Sequence, residues 1–149
     1  MIPIDPDNPV VRLCAEGMQL EQARRVDEAR TTFDRAWTEA RDDFEACIAA
    51  HFVARHEPDP VRSLAWNEEA LKRARAVGQD RVSGFLPSLY LNLGYSHELL
   101  GALDRARSFY RKADDHLANL TPGPYAEIVR AGVQRGLERV AVADEPHRS

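Results

Sequence analysis

Long hydrophobic runs are missing from this chain. No apolar stretch approaches the roughly 20 residues that cross a bilayer, so no membrane-spanning helix is expected. Cysteine is scarce as well: Cys14 and Cys47 are the only two. That is too few for a disulfide framework, and both read as buried, reduced thiols. The opening "MIPIDPDNPV" lacks the basic start and apolar core of a targeting segment. A cytoplasmic chain is therefore expected. Lysine is nearly absent too. Of 20 basic residues only Lys72 and Lys112 are lysine, an arginine-heavy usage that resembles chains of high-GC bacteria. Nor is there a basic excess: 24 acidic residues give a net charge of −4. This balance argues against a nucleic-acid or anionic-membrane surface, both of which reward positive patches. No HExxH, no paired Cys-x-x-Cys and no glycine-rich phosphate loop occurs. No metal, cofactor or catalytic role is expected.

What is present is helix-forming. Hydrophobic residues make up 44% of the 149 positions, enough for one domain with a real core. No stretch alternates apolar and polar long enough for a strand. Asn8-Pro9 and Asp59-Pro60 each place a capping side chain before a proline suited to the first helical turn. Helices are expected over about 9–22, 26–41, 43–56, 60–77, 87–100, 103–120 and 124–142. Segment 78–86 reads as a loop, "TPGP" at 121–124 as a break, and the tail "DEPHRS" at 144–149 as frayed. In the last helix Tyr125, Ile128, Val129, Gly132, Val133, Gly136, Leu137 and Val140 form one apolar stripe.

Two stretches repeat. "AEGMQLEQARRVDEARTTFDRAW" (15–37) aligns without a gap on "NLGYSHELLGALDRARSFYRKAD" (92–114). Gly17 falls on Gly94, Ala29 on Ala106, Phe33 on Tyr110 and Ala36 on Ala113, all 77 residues apart. That distance is two periods of about 34 plus an insertion the size of the 78–86 loop. A small residue on one helix and alanines on the next allow close approach, while the aromatic fills the space between neighbouring pairs.

The spacing resembles the tetratricopeptide repeat, W-x₂-L-G-x₂-Y then A-x₃-F then A. The third pair reads Tyr90-x₂-Leu93-Gly94-x₂-His97, then Ala106-x₃-Tyr110, then Ala113. The first reads Leu13-x₂-Glu16-Gly17-x₂-Leu20, then Ala29-x₃-Phe33, then Ala36. The second is degenerate: Cys47-x₂-Ala50-His51-x₂-Ala54, then Ser63, Asn67 and Ala70. The resemblance implies an all-α, right-handed solenoid of helical hairpins in a single domain. It would hold three pairs (about 9–41, 43–77 and 87–120) and a capping helix at about 124–142. Pairs of this kind cannot bury their faces alone and must stack.

The resemblance also implies that the first helix of each pair lines a concave groove. Slot by slot this nominates Cys14, Met18 and Glu21, then Glu45, Ile48, Phe52 and Arg55, then Ser88, Leu91, Asn92, Tyr95 and Glu98. The mixture of apolar, aromatic and charged groups suits a peptide or protein segment as partner. The family's clamp for a C-terminal carboxylate is missing, since its slots hold Cys14, Met18, Ala49 and Ser88, with only Asn92 fitting. Two rival readings remain open. One is a small-ligand or enzymatic pocket around His51, His97 and Glu98. The other is self-association of two copies through an exposed end helix.

Overall fold

The computed structural model describes residues 5–143; the "DEPHRS" tail lies outside them. Among the described residues every regular element is helical. Among the described residues the chain divides inside the 78–86 segment into two compact units, 5–82 and 83–143.

The N-terminal unit holds α1 (Pro9–Gln22), α2 (Val26–Glu39), α3 (Asp43–His56), α4 (Pro60–Val77) and the one-turn α5 (Gln79–Val82). The caps foreseen from the sequence form. Asn8 Oδ1 accepts from the Val10 and Val11 N–H groups at 2.9 and 3.2 Å, and Asp59 Oδ1 accepts from Val61 at 3.3 Å. Asp42 caps α3 by accepting from the Glu45 N–H at 2.8 Å. Short links fold α1 on α2 and α3 on α4 as hairpins. Gly17 lies beneath the Phe33 ring, so close that a Cβ there would overlap it. Phe33 also stacks on Phe52 of α3, with ring centroids 4.9 Å apart and nearly parallel. The aromatic thus rests on the glycine of its own pair and also bridges to the next helix. In the degenerate pair, His51 occupies the glycine slot and the buried Asn67 the aromatic slot. The large and small members are exchanged, which keeps the summed volume similar.

The C-terminal unit holds α6 (Leu86–Leu99), α7 (Leu103–Asp115), a 3-10 turn (Leu117–Asn119) and α8 (Pro124–Ala143). Gly101 takes φ +79° after α6. Its N–H reaches the Glu98 carbonyl at 3.0 Å, and the Ala102 N–H reaches that of His97 at 2.9 Å. These paired bonds close the helix in a Schellman motif. Arg24, 77 residues earlier, makes the same closure after α1 with φ +61°, although it carries a side chain. Tyr110 of α7 is fully buried between Gly94 of α6 and Gly136 of α8. Val129, Val133 and Val140 of α8 pack on Ala106, Tyr110, Ala113 and Leu117.

Three expectations change. Segment 78–86 is not wholly a loop, since α5 occupies 79–82 and α6 begins at Leu86. The helix after Leu103 stops at Asp115, and the chain tightens into the 3-10 turn before Leu120. The helix after Val26 ends at Glu39, because Ala40 is already extended.

Candidate functional site

The first helices of the pairs place the nominated side chains in two groups. Glu45, Ile48 and Ser88 are buried, with 2%, 5% and 6% exposure, so they do not face a partner. Glu45 ties helix starts together: it accepts from the Asn8 amide and the Arg41 N–H, both at 2.9 Å, and pairs with the Arg41 guanidinium at 3.3 Å. Burial alone would raise its pKa. The Arg41 N–H, the Asn8 amide and the Arg41 charge outweigh that and hold it below the usual carboxylate value. Ser88 shares a hydrogen bond with the Tyr125 hydroxyl.

Glu21 and Glu98 are also engaged, and in equivalent ways. Both lie four residues after the repeat glycine. Glu21 reaches Arg55 at 3.0 Å and His56 at 2.6 Å on α3. Glu98 reaches Arg139 on α8 at 2.8 Å and accepts from the Tyr110 hydroxyl at 2.6 Å. Each carboxylate is a strut between one hairpin and the helix that packs on it. For Glu98, burial pushes the pKa up, but Arg139 and Tyr110 pull it below the ordinary value. Burial and the bond to Glu98 raise the Tyr110 phenol above its usual range. A groove assignment for Glu21, Arg55 and Glu98 therefore meets groups that already hold partners inside the fold.

Other nominated side chains remain reachable. Met18 is 39% exposed and Tyr95 50%. They are again 77 residues apart, each directly after its glycine. Phe52 and Asn92 are partly exposed. Leu91 is partly buried and lies where a Cβ on Gly132 would meet it at 3.0 Å. The stripe on α8 is not wholly inward. Tyr125 and Ile128 are 53% and 69% exposed, because α8 packs on α6 and α7 along one side only. Leu99 on α6 and Arg135 on α8 are exposed as well, and the slot-by-slot reading missed all four. The signal available was the width of the stripe, which is more than one buried face needs.

Burial, then the Arg55 charge, lowers His51 to about 4, so its ring is neutral near pH 7. His97 is buried and stacks on Phe109 at 5.3 Å with the rings nearly parallel. No group of three or more potential metal ligands occurs among the described residues. Cys14 and Cys47 are free and buried, and burial pushes both thiols up to about 12, far from nucleophilic. Trp37 and Trp66 pack edge to face at 5.0 Å. In the N-terminal unit a cleft of about 140 Å³ is bounded by Phe33, His56 and Trp66, below the roughly 300 Å³ of small-molecule sites. A shallower one of about 660 Å³ lies beside Trp37 and Arg73. Its Arg73 already pairs with Asp43 and Glu69 at 3.0 and 2.8 Å. No helix among the described residues is long and apolar enough to cross a membrane.

Comparison with known proteins gives a structural likeness. No family model matches the chain, and no curated protein does either. The crystal structure of PcrH in complex with the chaperone binding region of PopD is similar to it. The TM-score is 0.62 at 21% identity, over 97% of this chain and 100% of that one. At that identity the likeness speaks for the fold: an all-α arrangement of helix pairs.

Proposed function

We propose that this chain is a non-catalytic interaction module of tetratricopeptide-like build, a single domain that holds a segment of another protein. The observation that carries the reading is the exposed side chain directly after each repeat glycine, Met18 in one unit and Tyr95 in the other. A large apolar or aromatic group left in water at the same slot twice, beside a close-packed glycine, serves contact with something outside the fold. PcrH, similar in fold, is seen with a segment of PopD, which supports a polypeptide as the kind of partner. The buried thiols and the neutral or stacked histidines speak against a reaction centre. A photo-crosslinking residue placed at Met18 or Tyr95 tests the reading in a lysate of the source organism. Both positions should capture a discrete polypeptide that the same probe at Arg75, an exposed position on α4, does not. Equal labelling at all three positions would refute it.

A further inference from the structure

The C-terminal unit carries more detail than a generic contact surface. Three contacts set the register of α6 against α8: Ser88 with Tyr125, Leu91 with Gly132, and Glu98 with Arg139. Sequence number rises together along both helices, so they run parallel. Tyr95 lies between the Leu91 and Glu98 levels on α6, and Arg135 lies between the Gly132 and Arg139 levels on α8. They therefore stand at one height on opposite sides of the channel between the helices. Ile128 falls on the same edge of α8 as Arg135, seven residues earlier and so two turns away. Tyr95 and Ile128 are 50% and 69% exposed, and Leu99, one turn beyond Tyr95, is 55% exposed.

On α6 the Glu98 carboxylate is occupied by Arg139 and Tyr110 at 2.8 and 2.6 Å. On α8 the exposed Glu138 follows Arg135 by one turn without pairing with it. Arg135 is exposed, and no carboxylate pairs with it among the described residues. An arginine left without its counter-ion beside exposed Tyr and Ile side chains asks for an acceptor from outside. Its planar donor fork matches a carboxylate.

We propose that the channel between α6 and α8 receives a protein segment that sets an apolar side chain against Tyr95 and Ile128 and an acidic residue against Arg135. This rests on the segment-binding reading and adds the chemistry of the segment. The apolar group removes Tyr95 and Ile128 from water, and the acidic residue completes the ion pair that the fold leaves open. A basic segment is disfavoured by repulsion from the unpaired Arg135 guanidinium.

A random twelve-residue peptide library displayed on phage and panned against the whole chain tests this. The enriched peptides should combine aliphatic or aromatic residues with a glutamate or aspartate. Panning on Arg135→Glu should lose the acidic bias or reverse it, with the fold checked by circular dichroism. The best acidic peptide, labelled with fluorescein, should bind Arg135→Ala about five- to tenfold more weakly. Its glutamate-to-lysine version should bind the parent just as weakly. Enriched peptides with no charge bias, or with the same bias on Arg135→Glu, would overturn the proposal and leave segment binding standing. No enrichment at all would remove both. A dimer in sedimentation that Ile128→Asp dissociates would overturn it as well, since a second copy would then fill the channel.

Discussion

Gly132 and Gly136 lie one turn apart on α8, and replacing each by alanine should give opposite results. Either change removes backbone freedom from the unfolded chain and gains about 1 kcal/mol in a helix interior. At Gly132 the new Cβ would meet Leu91 Cδ2 at 3.0 Å. That atom ends a flexible, partly exposed side chain and can shift by a few tenths of an ångström. Gly132→Ala should therefore stabilise by about 0.5–1 kcal/mol. At Gly136 the new Cβ would stand 2.5 Å from two Tyr110 ring carbons. The ring cannot retreat. It is fully buried, and Gly94 closes its other side so tightly that a Cβ there would lie 2.7 Å from the ring. Its hydroxyl is held by Glu98 at 2.6 Å. Overpacking costs about 1–3 kcal/mol, and confinement from both sides puts this case at the upper end. Net destabilisation of about 1–2 kcal/mol should remain, a gap of about 1.5–3 kcal/mol between the variants. Urea titrations followed by helical circular dichroism would read it. In a Tyr110→Leu background the gap should shrink to within about 1 kcal/mol, because the obstructing ring is gone. A Gly136→Ala protein as stable as Gly132→Ala would refute the reasoning.

Arg24→Gly should raise stability by about 1 kcal/mol, since a side chain at φ +61° carries a left-handed penalty that glycine escapes; Gly101→Ala should lose a similar amount, and thermal melts that show neither shift would contradict the paired closures. His51 has a folded pKa of about 4, lowered by burial and then by Arg55, against about 6.5 unfolded. The unfolded chain thus binds the extra proton, so the stabilisation is complete above about pH 6.5 and is lost as pH falls towards 4, amounting to about 3 kcal/mol. His51→Gln should flatten stability over that window, and urea midpoints with unchanged pH slopes would count against a partly buried, neutral imidazole.

Helix content and the hairpin unit were legible in the sequence because they rest on local rules. Asn8 and Asp59 cap as their position before proline implies. Gly17 with Phe33, and Gly94 with Tyr110, meet as their shared offset implies. A glycine under an aromatic is a short-range fit within one hairpin, and the repeat writes it twice. The struts were not legible. Glu21 and Glu98 carry no mark that separates a carboxylate facing a partner from one reaching the next helix, because the choice depends on where Arg55, His56 and Arg139 arrive.

Sequence alone therefore determined the all-helical class, the pairing of helices and the residues that let them touch, since period, caps and small-for-large matches act over one or two turns. Tertiary packing decided which polar groups are consumed and which remain in water. Glu45 was withdrawn into a helix cap, Glu98 was bound by Arg139 and Tyr110, and Tyr95, Ile128 and Arg135 stayed exposed. The physical reason is that exposure and charge balance belong to the assembled surface. They are set by neighbours that lie tens of residues away along the chain.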